Sequence, residues 1–153
     1  MDLLGFATIL VVGFTSCAEF GSYAFVHPVI RRLPQEHHIR VEQGLLGTFG
    51  RVMPVLMTLS VVLAVSYVLR TGGVGGTRSV VGWAAAIVLV AALASTIIFN
   101  VPANRATLRW DAHAPPTDWK NARNRWELFQ GVRSWLLLIG FVLLCVAMTI
   151  VTT

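Results

Sequence analysis

Glu19, Tyr23 and His27 fall at positions i, i+4 and i+8 of the first apolar stretch, so on a regular helix they share one face. A carboxyl set among apolar residues is expensive unless it is paired or protonated. An imidazole is the side chain suited to moving a proton near neutral pH. Glu19 and His27 are therefore candidate proton acceptors. Asn100 and Asn104 straddle Pro102, and near a broken helix end their amides could donate to a substrate oxygen. Arg133, at the start of the last apolar stretch, could reach inward beside them. These five are the candidate catalytic residues. Tyr23, Arg51, Arg123, Trp126 and Glu127 are the candidate substrate-binding residues, because Arg123, Trp126, Glu127 and Arg133 recur along one broad helical face. Each has a plainer explanation. Glu19 could be structural and paired with Arg51, the Asn pair could cap loosened backbone, and the Arg and Trp residues could form an interfacial belt.

These residues are concentrated. The stretch from Asn100 to Arg133 holds three of the five Trp and six of the twelve basic residues, between two segments of mostly Leu, Val, Ala and Ile. Pro28, Pro54 and Pro102 lie toward the same end of their segments. Each removes an amide and frees a carbonyl four residues earlier, at Ala24, Gly50 and Ile98. Non-helical backbone at membrane depth is tolerated where it lines a protein-enclosed cavity, so three prolines at one end mark a pocket.

The elements that must position these groups are legible from composition. Of the 153 residues, 56% are hydrophobic and 12% charged, with a mean hydropathy of +0.71. A soluble domain carries about 25% charged residues, so this surface must meet lipid. Four runs, Leu3 to Val26, Leu45 to Leu69, Ser79 to Val101 and Val132 to Val151, reach the roughly 20 residues a membrane helix needs. The expectation is an all-α, integral membrane four-helix bundle spanning residues 1–153 as one domain. A short amphipathic cytoplasmic helix would lead into helix 4, opening after Pro115-Pro116 with Thr117 as N-cap. Pro34 opens a segment, Gln35 to Gly44, that can continue into helix 2. Asp2 in place of a cationic leader, and the length of the first run, argue for a retained helix rather than a signal peptide.

Net charge is +5 with pI near 10.2, but the charge is topological. Ten of the twelve basic residues lie in or beside the two longer loops, and only Arg70 and Arg78 lie at the other end. The positive-inside rule therefore predicts a multi-pass protein of the cytoplasmic membrane, with both long loops in the cytoplasm and both termini outside. Lipid headgroups, not nucleic acid, are the partners this implies. The Arg70 to Arg78 hairpin, with four glycines, reads as a short connector. Cys17 and Cys145 sit at different depths on antiparallel helices, which argues against a disulfide. Gly13, Cys17 and Gly21 form a small-residue stripe, a candidate face for the bundle or for a homodimer. There is no HxxxH, CxxC or HExxH spacing, and no metal site is expected. No cofactor is required; a haem on His27 is conceivable, with nothing further to support it.

Asn100-x-Pro102-x-Asn104, Trp110-Asp111, Asp118-Trp119, Arg123-x-Arg125-Trp126-Glu127 and Val132-Arg133 together resemble the anthrone-oxygenase-like family of small four-helix membrane proteins. Phe25-Val26-His27-Pro28-Val29 and Gly50-Arg51-Val52-Met53-Pro54 extend the likeness across nearly the whole chain. The resemblance implies oxygenation of a hydrophobic aromatic anthrone to an anthraquinone. In that reaction a base, His27 or Glu19, removes the acidic methylene proton. Asn100, Asn104 and Arg133 hold the enolate oxygen, Trp126 walls the substrate, and the carbanion meets O2. The rival expectation is a non-enzymatic membrane subunit, or a lipid- or partner-binding module, that would depend on Gly13 and Gly21 rather than on the Asn pair. A transporter is disfavoured, because four helices without repeats offer little for alternating access.

Overall fold

The computed structural model describes residues 3–71 and 76–150. Four long helical rods fill it: α1 (Leu3–Ile30), α2 (Gln35–Thr71), α3 (Thr77–Thr107) and α4 (Trp119–Thr149), each long and apolar enough to cross a membrane. The chain is a four-helix, multi-pass membrane protein. Each rod packs chiefly on its neighbours in chain order, and α4 closes the ring on α1. The predicted spans are the apolar parts of longer helices. Gln35 to Gly44 runs without a break into α2, with the Pro34 carbonyl accepting the His38 amide at 2.9 Å. Residues 119–131 are likewise the first turns of α4. That helix starts one residue later than expected, with Asp118 rather than Thr117 at the flanking position and no side-chain cap.

The bundle is inside-out in the sense that lipid demands. Phe6, Leu10, Phe14, Val80, Ile87 and Val142 face outward, while Thr8, Thr15, Ser16 and Ser60 are buried. The buried hydroxyls cost nothing unpaired. Thr15 Oγ1 donates to the Val11 carbonyl at 2.7 Å, and Ser16 Oγ crosses to the Leu137 carbonyl on α4 at 2.9 Å. The apolar core (Val12, Met57, Ala64, Leu89, Leu137, Leu144) fills the half of the bundle away from the basic loops. Close approach there depends on small residues. A Cβ on Gly140 would lie 2.7 Å from Leu89 Cδ2, and one on Gly13 would lie 3.0 Å from Phe141. Cys17 is exposed and nothing lies within 4 Å of Gly21's missing Cβ, so only Gly13 of that stripe packs within the bundle. Both cysteines are free. Of the hairpin glycines, Gly72, Gly73 and Gly75 lie outside the described residues. Gly76 takes φ +128°, a conformation that favours glycine.

Two of the three prolines mark a change of helical pitch. A π-helical turn occupies Ser22–Val26 before Pro28, and another occupies Thr96–Asn100 before Pro102. At each, the amide five residues on closes the wide turn: His27 N–H on the Ser22 carbonyl and Val101 N–H on the Thr96 carbonyl. A proline cannot supply the next bond of a regular ladder, and the wider turn absorbs that loss. Pro54 instead sits inside the unbroken α2.

Candidate functional site

The π turn in α1 decides which residues share a face. In a regular helix His27 would stack over Tyr23; here it stacks over Ser22. Glu19, Ser22 and His27 therefore line one cavity, and Tyr23 is turned away from it. Tyr23 packs its ring against Gly131, where a Cβ would lie 2.9 Å from Cε2, and lines a separate outer groove with Arg31, Leu128 and Trp135. The expected common face of Glu19, Tyr23 and His27 is thus split by one inserted residue.

The cavity, about 250 Å³, lies between the rods toward the end that carries the two basic loops. Its polar wall is Glu19, His27, Glu42, Asn104, Gln130 and Arg133. Its apolar wall includes Leu46, Met53, Pro54 and Trp126. Arg51 and Arg105, both exposed, stand at its rim.

Glu19 is completely buried. It does not pair with Arg51, as one sequence reading had it. Its Oε2 accepts from Arg133 at 2.8 Å and from Gln130 Nε2 at 2.9 Å, both on α4. Arg133 also donates to Gln130 Oε1, which closes a three-membered network. Ser134 Oγ fixes the backbone beside it, donating to the Glu19 carbonyl at 3.3 Å. Depth along the chain could be counted from sequence, but which helix stood opposite could not.

Trp126 is the hub of the other wall. Its indole N–H donates to Asn104 Oδ1 at 2.6 Å, which leaves the Asn104 amide group free to act as a donor. The Arg123 guanidinium lies 4.0 Å over the indole centroid, and the His27 ring centre lies 5.0 Å away. Asn100 is buried behind this wall rather than on it, donating to the Trp126 carbonyl at 3.4 Å. Arg123 is buried as well, with one guanidinium nitrogen 2.6 Å from Glu42 Oε2. Glu127 pairs with Arg31. Among the described residues, then, three buried carboxylates each have an arginine: Glu19 with Arg133, Glu42 with Arg123, Glu127 with Arg31.

Glu42, His38 and Gln130 were not among the sequence candidates. Glu42 Oε1 faces His27 Nδ1 at 3.4 Å and His38 Nε2 at 3.8 Å, and Trp119 packs edge-on against the His38 ring. The signal that could have found Glu42 is its place one turn after His38 and one turn before the apolar Leu46. Asn104, Trp126, Glu42 and His27 thus come from four different helices onto one chamber.

The residues that carry this chamber on α3 and α4 lie within a stretch that can be compared with known families. The family model for anthrone oxygenase matches residues 46–143. The chain belongs to that family. The matched stretch of the anthrone oxygenase model holds Asn100, Asn104, Arg123, Trp126, Glu127, Gln130 and Arg133, while Glu19, His27, His38 and Glu42 precede it. No curated protein and no solved structure matches the chain.

Proposed function

We propose that the protein is a membrane-embedded oxygenase that converts a hydrophobic anthrone-type ketone to the quinone inside the chamber. The observation that carries this reading is a cavity between the rods that brings a histidine, two amides and an arginine onto one largely apolar space walled in part by Trp126. Its volume, about 250 Å³, is just below the roughly 300–1,000 Å³ usual for small-molecule sites and suits a compact flat guest.

The reaction needs little machinery. The methylene flanked by two aryl rings and conjugated through them to the carbonyl is acidic, and its conjugate base is an electron-rich enolate. His27 removes the proton through Nε2, its Nδ1 side being turned to Glu42. The Asn104 amide and Arg133 donate to the oxygen that gains charge. Glu19 and Gln130 hold Arg133 in place rather than touching substrate. O2 then adds at the carbanion carbon. Loss of the second hydrogen from that carbon, with cleavage of the O–O bond, leaves a carbonyl there and releases water. Four electrons leave the carbon and reduce one O2, so no external reductant is consumed. The family membership, the burial of Arg133 and the aromatic wall support this reading. The basic loops support a placement in the cytoplasmic membrane with those loops inside.

The test is tag-free protein in detergent micelles, supplied with a hydroxylated anthrone and O2, and read as quinone absorbance and oxygen uptake. Uptake of one O2 per quinone, above the spontaneous oxidation in empty micelles, and a fall of tenfold or more in Asn104→Ala, are expected. A rate equal to empty micelles across a panel of anthrones overturns it.

A further inference from the structure

Three polar atoms beside the chamber have no hydrogen-bond partner: His27 Nδ1, His38 Nε2 and Glu42 Oε1. Their residues are each no more than 6% exposed. Buried polar atoms are rarely left unmatched, and three in one cluster, from two helices and beside the Glu127 carboxylate, call for an explanation.

Their spacing supplies one. Glu42 Oε1 stands 3.4 Å from His27 Nδ1 and 3.8 Å from His38 Nε2. Those gaps are long for hydrogen bonds. They are close to the edge of a coordination polyhedron, since ligand bonds of about 2.1 Å put two tetrahedral donors about 3.4 Å apart. One ligand atom each from His27, Glu42 and Glu127 all lie within 4.8 Å of one another. We propose that His27, Glu42 and Glu127, with His38 beside them, bind one divalent first-row transition ion whose open positions face the chamber.

The surroundings fit such a centre. Ligands of a metal are held by a second layer of contacts. Arg123 grips the other oxygen of Glu42, Arg31 pairs with Glu127, and Trp126 and Trp119 pack against the two imidazoles. Imidazole with carboxylates favours iron, manganese or zinc over magnesium or calcium. His27 and Glu42 both line the cavity, so an ion they share is within reach of a guest there. No sequence motif announces the set, because its members are contributed by α1, α2 and α4 rather than by one helix. An ion would also change what His27 does. With Nδ1 coordinated, the ring carries its proton on Nε2 and donates to the substrate. A water on the ion, made acidic by it, becomes the base. Ion binding is measured without turnover, so it stands or falls separately from the oxygenase reading.

The experiment uses the full chain, tag-free, stripped with chelator in micelles and dialysed. Fe2+ (without air), Mn2+, Zn2+ or Mg2+ is then added, and bound metal and the thermal unfolding midpoint are measured. About one transition ion per chain, a raised midpoint and no response to Mg2+ are expected. Glu127→Gln and His27→Gln should each weaken binding at least tenfold. Glu36→Gln, in the exposed Glu36, Arg40 and His113 group, should leave it unchanged. Wild-type binding no tighter than that of Glu127→Gln and His27→Gln overturns the site. Where either variant fails to fold, electron paramagnetic resonance of wild-type protein with one equivalent of Cu2+ decides. Nitrogen splitting lost in Glu42→Gln supports the site, and an all-oxygen signal overturns it.

Discussion

Glu19 and Arg133 meet at 2.8 Å across α1 and α4, a charge pair sealed inside the bundle with Gln130 bridging it. Removing one partner strands the other without water. Arg133→Met should therefore cost about 3–5 kcal/mol of stability. The double variant Glu19→Gln with Arg133→Met should recover most of that, because neither remaining group is charged. Thermal or denaturant unfolding in micelles gives both numbers. A double variant as unstable as the single one would show that packing, not charge, dominates there.

Asn104 accepts the indole proton of Trp126 at 2.6 Å. Asn104→Leu fills similar volume but leaves that buried N–H without an acceptor. A loss of about 1–3 kcal/mol is expected, together with loss of quinone formation. Trp126→Phe, which discards the donor along with the need for it, should unfold less easily than Asn104→Leu when the two are compared side by side.

Close helix contact depends on Gly140 and not on Gly21. A methyl at Gly140 would meet Leu89 Cδ2 at 2.7 Å and Cγ at 2.8 Å, whereas at Gly21 it meets nothing within 4 Å. Gly140→Ala should destabilise by about 1–3 kcal/mol, and Gly21→Ala should be neutral in unfolding measurements. A loss of assembly in Gly21→Ala, read by size-exclusion chromatography with light scattering, would instead point to a partner on that face.

Arg123 both grips Glu42 and lies flat on Trp126. Lysine keeps the charge but has neither the fork nor the plane. Arg123→Lys should lower stability by about 1–3 kcal/mol, and should disturb the near-ultraviolet circular dichroism of the tryptophans. An unchanged spectrum would mean that the stacked geometry does not matter to the indole.

Much of this was readable from residue order, and the unread part has a physical cause. The four rods follow from apolar runs of sufficient length, and Glu19, His27, Asn104, Trp126 and Arg133 reach the chamber wall. The sequence leaves Arg51 open as a partner of Glu19, because helix counting fixes depth but not which neighbour stands opposite. A period of 3.6 puts Tyr23 on the His27 face, and the π turn at Ser22–Val26 shifts every residue beyond it. Glu42 and His38 do not stand out in this way, because their Gln35 to Gly44 segment is polar and its buried side appears only when the other rods pack on it.

The unbroken rod α2 has 37 residues. At about 1.5 Å per residue it runs roughly 55 Å, against a hydrocarbon layer of about 30 Å. Even when tilted, it must stand well clear of the oily slab at one side, and its polar Gln35 to Gly44 end is the part that emerges. The two sides of the bilayer therefore meet unequal lengths of this protein, and the jutting mast carries Glu42, one of the groups that line the chamber.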